Sequence, residues 1–245
     1  MVIEVAPSAA LAPWVECFWY RAASSSPAPV THRVLPDGAA DILIDVGAAS
    51  ARAIGTMTRP LLLESAATPE LLGVRFHPGR ALPFVRMPLA EVTDDSAPLL
   101  RLREAADAIA SAGELPARVA EFEAMLLGAL TRDEEVDRRV DAAVWRIVAS
   151  DGRIAIDALA DDIGISRQHL SRRFLAHVGV TPKTFARVVR FRAVLRRAQS
   201  SPDRDWAELA AEAGYFDQSH LIADFQQFAG TTPVPFFLSP AGAGR

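Results

Sequence analysis

The feature that most constrains this chain is an internal repeat. Leu159-Ala160 and Gly164 return as Leu209-Ala210 and Gly214, each 50 residues later. After one inserted residue, His169-Leu170 returns as His220-Leu221 and Phe174 as Phe225, both at a spacing of 51. Gly179-Val180-Thr181-Pro182 returns as Gly230-Thr231-Thr232-Pro233 at that same spacing of 51. Residue type and internal spacing agree together, so the C-terminal part of the chain holds two copies of one supersecondary unit.

The first copy reads as two short helices joined by a turn. Asp157 stands where it can cap a helix that carries Leu159 and Ile163 on one face. Gly164 supplies the left-handed residue that ends it. Ile165 fills the angle between helices, and Ser166 caps the second helix. There Leu170, Phe174 and His177 share the inward side, while Gln168, Ser171, Arg172 and Leu175 face outward. A second helix with a polar, arginine-bearing outer face is what the major groove of DNA accepts. An αα-hairpin within a helical bundle would use the same glycine turn and Leu/Phe face for packing alone. Two copies joined by a basic block favour the nucleic-acid reading. Pro182 opens the connecting helix, Lys183 to about Gln199, roughly 25 Å long. It can hold two readers about one DNA turn apart, roughly 34 Å. Arg187, Arg190, Arg192, Arg196 and Arg197 on it are expected to meet phosphates or acidic neighbours.

The net charge of −4 conceals where the cations lie. Residues 1–134 sum to −6 and residues 135–245 to +2, while residues 163–204 carry ten basic residues against Asp203 alone, a local +9. Such a block is the footprint of phosphate contact, although a solvated helical face has the same composition. Arg167, Arg173, Lys183, Arg187 and Arg190 are the phosphate-contact candidates.

The first ninety residues read as strands between turns. Val15–Tyr20, Val30–Leu35, Asp41–Val46, Leu61–Leu63 and Leu71–Phe76 are the apolar runs, and Asp37-Gly38 between two of them is a hairpin signal. Residues 98–110 and 115–130 have helical spacing. The polar segment Thr131–Glu135 suits a linker, which predicts domains over 1–135 and 136–245. The expected fold class is α+β: a β-rich domain followed by an all-α domain with two helix-turn-helix units. No apolar run is long enough for a membrane span, and Met1-Val2-Ile3-Glu4 lacks a basic n-region, so a cytoplasmic protein is expected. The lone cysteine, Cys17, excludes an internal disulfide and reads as a strand core residue beside Phe18 and Trp19.

The C-terminal pattern, over roughly residues 140–240, resembles the AraC/XylS family of transcription regulators. Its carriers are Leu159-Ala160, Gly164-Ile165-Ser166, His169-Leu170-Ser171-Arg172-Arg173-Phe174, Gly179-Val180-Thr181-Pro182 and Phe185. The second half follows with Leu209-Ala210, Ala213-Gly214-Tyr215-Phe216-Asp217-Gln218-Ser219-His220-Leu221, Phe225, Phe228 and Gly230-Thr231-Thr232-Pro233. The resemblance implies sequence-specific binding of double-stranded DNA, with RNA polymerase as a partner and a small-molecule effector or homodimerisation acting through the N-terminal domain. Carried over by position, the base-contact candidates are Gln168, Ser171 and Arg172, then Gln218, Ser219 and Ala223. The second unit departs from the family pattern, which often has basic residues where Ala223 stands and around Asp224, Gln226 and Gln227. The first unit is therefore expected to supply most direct readout. Arg33-Val34-Leu35-Pro36-Asp37-Gly38 with Asp41, Gly55-Thr56-Met57-Thr58-Arg59-Pro60, Gly73-Val74-Arg75-Phe76-His77-Pro78-Gly79, and Pro88-Leu89 with Thr93-Asp94 resemble a domain found ahead of this motif in some AraC-like regulators. That implies a small β-rich, cupin-like sensor fold.

Catalytic chemistry is not expected: the sequence has no glycine-rich phosphate loop, nucleophile elbow or CxxC pair. His32 and His77 stand far apart without a nearby ligand partner, so neither metal nor cofactor is expected. His169 and His220 occupy equivalent repeat positions and read as helix-packing or phosphate-facing residues. Trp19, His32, Asp37, Asp41, Arg75 and His77 are the candidates for an effector pocket; turn formation and a strand-end ion pair are the plainer reading of Asp37, Asp41, Arg75 and His77. The alternative function is a small-molecule-binding β-domain whose helical tail is not a specific DNA reader.

Overall fold

The computed structural model describes residues 2–130, 136–200 and 205–238. The proposed linker Thr131–Glu135, and Asp203 with Arg204 of the basic block, lie outside the described residues.

Strands β1 (Val2–Val5), β2 (Val15–Arg21), β4 (Asp41–Asp45), β5 (Ser50–Ile54), β7 (Leu71–Phe76) and β8 (Ser96–Pro98) form one antiparallel sheet in the order β1-β2-β7-β4-β5-β8. β3 (Ser24–Val34) and β6 (Leu61–Thr68) pair only with each other. β1, β5 and β8 were not anticipated from sequence. Ser50-Ala51-Arg52-Ala53-Ile54 is poor in β-branched residues, and Pro98 is tolerated because β8 is an edge.

Period-two alternation divides the large sheet. Phe18, Ile42, Ile44, Leu72, Val74 and Phe76 are fully buried on one face. They form one core with Phe84 of α1 (Leu82–Val85), Ile109 of α2 (Arg103–Ser111), and Phe122 and Leu126 of α3 (Leu115–Ala129). The opposite face is built from paired rows: Cys17, Arg75, Asp41 and Ile54; then Trp19, Gly73, Leu43 and Arg52; then Arg21, Leu71, Asp45 and Ser50.

Asp37-Gly38 does not close a hairpin, contrary to the sequence expectation. β3 leaves for the second sheet and β4 pairs with β5 and β7 instead. Gly38 has φ +85°, and a Cβ there would lie 2.4 Å from the Phe185 ring. The turn is shaped by a residue 147 positions away, which no local signal could show.

The helical part contains α4 (Arg138–Ala149), then two like pairs joined by one long helix. α5 (Ile156–Asp162) and α8 (Trp206–Glu212) have seven residues each; α6 (Arg167–Val178) and α9 (Gln218–Ala229) have twelve. Gly164 and Gly214 take φ +68° and +77° at the turns, and Gly179 and Gly230 end the longer helices in the left-handed region. Ser166 Oγ accepts from the His169 amide at 3.2 Å, and Asp217 accepts from that of His220 at 2.9 Å. Asp157, however, is not a cap. Ala155 holds that position, and Asp157 sits in the first turn, paired with Arg167. α7 (Pro182–Ser200) is a wall shared by both units. Phe185 and Ala186 belong to the first core; Val188, Phe191, Val194 and Leu195 belong to the second, which also holds Phe236 of α10 (Pro233–Leu238).

The β-rich part is joined to these helices through the segments that carry its resemblance. Leu35 is buried in the second helical core. Thr56 Oγ1 donates to the carbonyl of Val178 at 2.5 Å, and Thr93 Oγ1 donates to that of Gly179 at 2.5 Å. Arg80 pairs with Asp141 of α4, and the Arg33 guanidinium lies 5.6 Å from the centroid of the Phe236 ring.

Candidate DNA interface and candidate effector cavity

The helix geometry exposes Gln168 and Arg172 on α6, with Ser171 half-buried beside them. On α9, Gln218, Ser219 and Ala223 are exposed, Ile222 is half-buried, and Gln226 continues the face. These positions follow from Leu170, Phe174 and Val178, and from Leu221, Phe225 and Phe228, which turn inward at helical spacing. The α6 face carries a cation. The α9 face carries none.

Several arginines of the basic block are engaged within the protein. Arg173 pairs with Asp137 and its Nε bonds that carboxylate at 2.6 Å. Arg187 bonds the buried Asp224 at 2.6 Å and Gln227 at 2.7 Å. Arg190 donates to the Gly152 carbonyl at 2.7 Å and lies 5.2 Å from the centroid of the Tyr215 ring. Arg196 and Arg197 both reach Asp151. Arg167 meets Asp157 at 3.1 Å, but both side chains are exposed, and such a pair is worth about 0–1 kcal/mol, so a phosphate could displace it. Among the described residues of the block Arg172, Lys183 and Arg192 have neither an ion pair nor a hydrogen-bond partner, and of these Arg192 is half-buried while Arg172 and Lys183 are exposed. The structure therefore concentrates the available positive charge at α6 and the start of α7. Sequence charge counting could not separate these cations from the structural ones, because their carboxylate partners lie far away in the chain.

Four of the effector-pocket candidates come together. Trp19 lies across Gly73, where a Cβ would be 2.2 Å from its ring, and its Nε1 donates to Asp41 at 2.9 Å. Arg75 lies 3.3 Å from Asp37 and 3.4 Å from Asp41. Half-buried Arg192 of α7 faces this group; burial lowers its guanidinium pKa, with Asp37 opposing. The cluster thus sits against α7, at the joint between the two parts. His77 is apart from it, with Nε2 3.2 Å from the carbonyl oxygen of Ala12.

His32 lines a different space. A 520 Å³ cavity lies between the hairpin end of the sheet and the β3–β6 pair. Arg21, Arg52, His32, Asp45, Leu43 and Leu71 are among its lining. Its volume falls in the range of small-molecule sites. Arg21 and Arg52 were missed from sequence, although the period of two along β2 already places Arg21 on the face of Trp19. The Arg21 Nε is buried and has no partner among the described residues.

Burial pushes the Asp41 carboxyl from 3.8 up to about 6, against the pull of Arg75, while Asp37 adds to the rise. The unfolded chain ionises first as pH climbs, so the folded state loses stability between about pH 4 and 6, by at most about 3 kcal/mol. Asp41→Asn should remove that slope. Melting curves of wild type and variant at pH 4.5 and 7 should diverge with pH; parallel shifts would refute this. Burial also pushes the Cys17 thiol up to about 11, which leaves it protonated and unreactive near neutrality.

Two helix pairs, a shared long helix and a solvent-facing arginine helix have the form of helix-turn-helix units. Residues 159–237 match a helix-turn-helix domain, and residues 3–98 match a domain of unknown function (DUF6597). The C-terminal part of the chain is thus similar to a helix-turn-helix domain, and the N-terminal part to a domain to which no function is attached. No curated protein matches the chain. Among solved structures it is similar to ToxT from Vibrio cholerae. An apo variant is 11% identical, over 97% of this chain and 96% of that one, with a TM-score of 0.43. A form bound to an unsaturated fatty acid is 10% identical, over 93% of each chain, with a TM-score of 0.40. A form bound to (E)-4-(8-methylnaphthalen-1-yl)but-3-enoic acid is 10% identical, over 90% and 98%, with a TM-score of 0.43. Among the described residues no helix is long and apolar enough to cross a membrane.

Proposed function

We propose that the chain binds promoter DNA sequence-specifically through two helix-turn-helix units, with unequal shares of the readout. The observation that carries this reading is the unpaired Arg172 on the exposed face of α6, set against a cation-free face on α9. In the first unit Gln168, Ser171 and Arg172 reach base edges, while Lys183 and Arg167 meet phosphates. In the second, Gln218 and Ser219 make polar contacts, and the amides at the start of α9 approach a phosphate. α7, of 19 residues, spans roughly 28 Å and sets the spacing of the two readers. The cavity beneath β3 and β6 is the effector site in this reading, and the Asp41–Arg75–Asp37 cluster lies between it and α7. The bound regulator then recruits or excludes RNA polymerase, as one chain or as a homodimer.

Selection from random duplexes tests the reading. The full chain should return two half-sites about one DNA turn apart. Arg172→Ala should weaken binding to the selected site by about 1–3 kcal/mol, and relax the choice at one or two base pairs of the first half-site only. Undiminished binding by that variant would remove Arg172 from the interface. Binding without sequence preference would make the chain an architectural protein, and no binding would leave the helical part an inert tail.

A further inference from the structure

The repeat slips from a spacing of 50 to 51 between Gly214 and His220, and the structure identifies the inserted residue. Ile165 and Tyr215 both follow the turn glycine and fill the angle between helices, while Ser166 and Asp217 both cap the longer helix. Phe216, between Tyr215 and Asp217, has no counterpart in the first unit. It is 90% exposed, among the most exposed large apolar side chains described. Its ring meets that of His220 edge-on at 5.9 Å, which sets it beside the first turn of α9. That end of a recognition helix is the one that contacts base edges.

We propose that Phe216, with Ile222 and Ala223 further along α9, reads thymine C5-methyl groups in the major groove. The second unit is thereby a methyl reader where the first reads by hydrogen bonds. The proposal rests on the two-unit reading given above. Its argument is chemical. With no Arg or Lys on the α9 face, guanine cannot be taken by a bidentate cation there. An exposed phenyl ring at the start of a helix whose outer face continues with Ile222 and Ala223 instead offers apolar contact, which only thymine repays in that groove. The second half-site should accordingly contain thymine opposite the start of α9.

The test replaces each thymine of the second half-site by deoxyuridine, which keeps every hydrogen-bonding group and removes only the methyl. Wild-type protein should bind about fourfold more weakly for each contacted methyl removed. Phe216→Ala should bind the thymine site more weakly than wild type and discriminate less between thymine and deoxyuridine, with unchanged melting temperature. Deoxyuridine in the first half-site should affect both proteins alike. Equal wild-type affinity for the two duplexes, or full discrimination by Phe216→Ala, overturns the proposal while the two-unit reading stands. A selected site with no second half overturns both.

Discussion

Replacing Arg187 by methionine should lower the unfolding free energy by about 3–5 kcal/mol, the cost of leaving a buried carboxylate without its cation. Asp224 retains only 7% side-chain exposure, and its oxygens are held by Arg187 at 2.6 and 3.0 Å and by the Tyr215 hydroxyl at 3.0 Å. Arg187 also lies 5.1 Å from the centroid of Phe228, so its stem and plane pack on the second core. For a chain of this size the melting temperature should fall by about 6–20 °C. Asp224→Leu added to Arg187→Met should recover part of the loss, because the stranded charge is then gone. A phosphate contact predicts the opposite pattern: weaker DNA binding, a shallower salt dependence and an unchanged melting curve. Calorimetry of the two variants, beside a salt titration of DNA binding, separates the roles.

Gly38→Ala should be the most disruptive single-methyl change at the joint. The new Cβ would enter the Phe185 ring at 2.4 and 2.9 Å, and the backbone there is left-handed. Overpacking costs about 1–3 kcal/mol and the backbone conformation about 1–2, so a loss of about 2–5 kcal/mol is expected. Gly113→Ala is the control, since its φ is +77° but nothing lies within 4 Å of the added methyl. It should cost only the backbone share, about 1–2 kcal/mol. Equal losses at the two sites would mean that α7 does not press on Gly38. Because Phe185 packs against Phe174 of α6 at 5.5 Å, displacing it should also disturb the first reading helix. Binding of Gly38→Ala to the selected site should therefore fall more than that of Gly113→Ala.

Much of the candidate DNA interface was legible in the sequence. The outer faces of α6 and α9 follow from which residues recur at helical spacing, and Ser166 and Gly179 mark the ends of α6 by local chemistry. The effector candidates were less legible. Trp19, Asp37, Asp41 and Arg75 meet because β2, β4 and β7 pair, and that register depends on contacts between distant segments. His77 shares their motif but lies beyond the end of β7 at Phe76, where the pleat no longer sets its direction, and it meets the Ala12 carbonyl instead. The cavity residues Arg21 and Arg52 carried no motif at all.

By itself the sequence determined two helix pairs about a shared long helix, their glycine turns, the Ser166 cap, and the difference between the two outer faces. These are short-range properties: helical period, side-chain capping and the glycine preference for positive φ act within a few residues. Only the tertiary structure decided which cations of the basic block remain available to DNA. Arg173, Arg187 and Arg197 find their carboxylates 36, 37 and 46 positions away, and nothing local distinguishes them from Arg172. It also decided that Asp37-Gly38 is part of the joint and not a hairpin, because the Phe185 ring occupies the space that a side chain at position 38 would need.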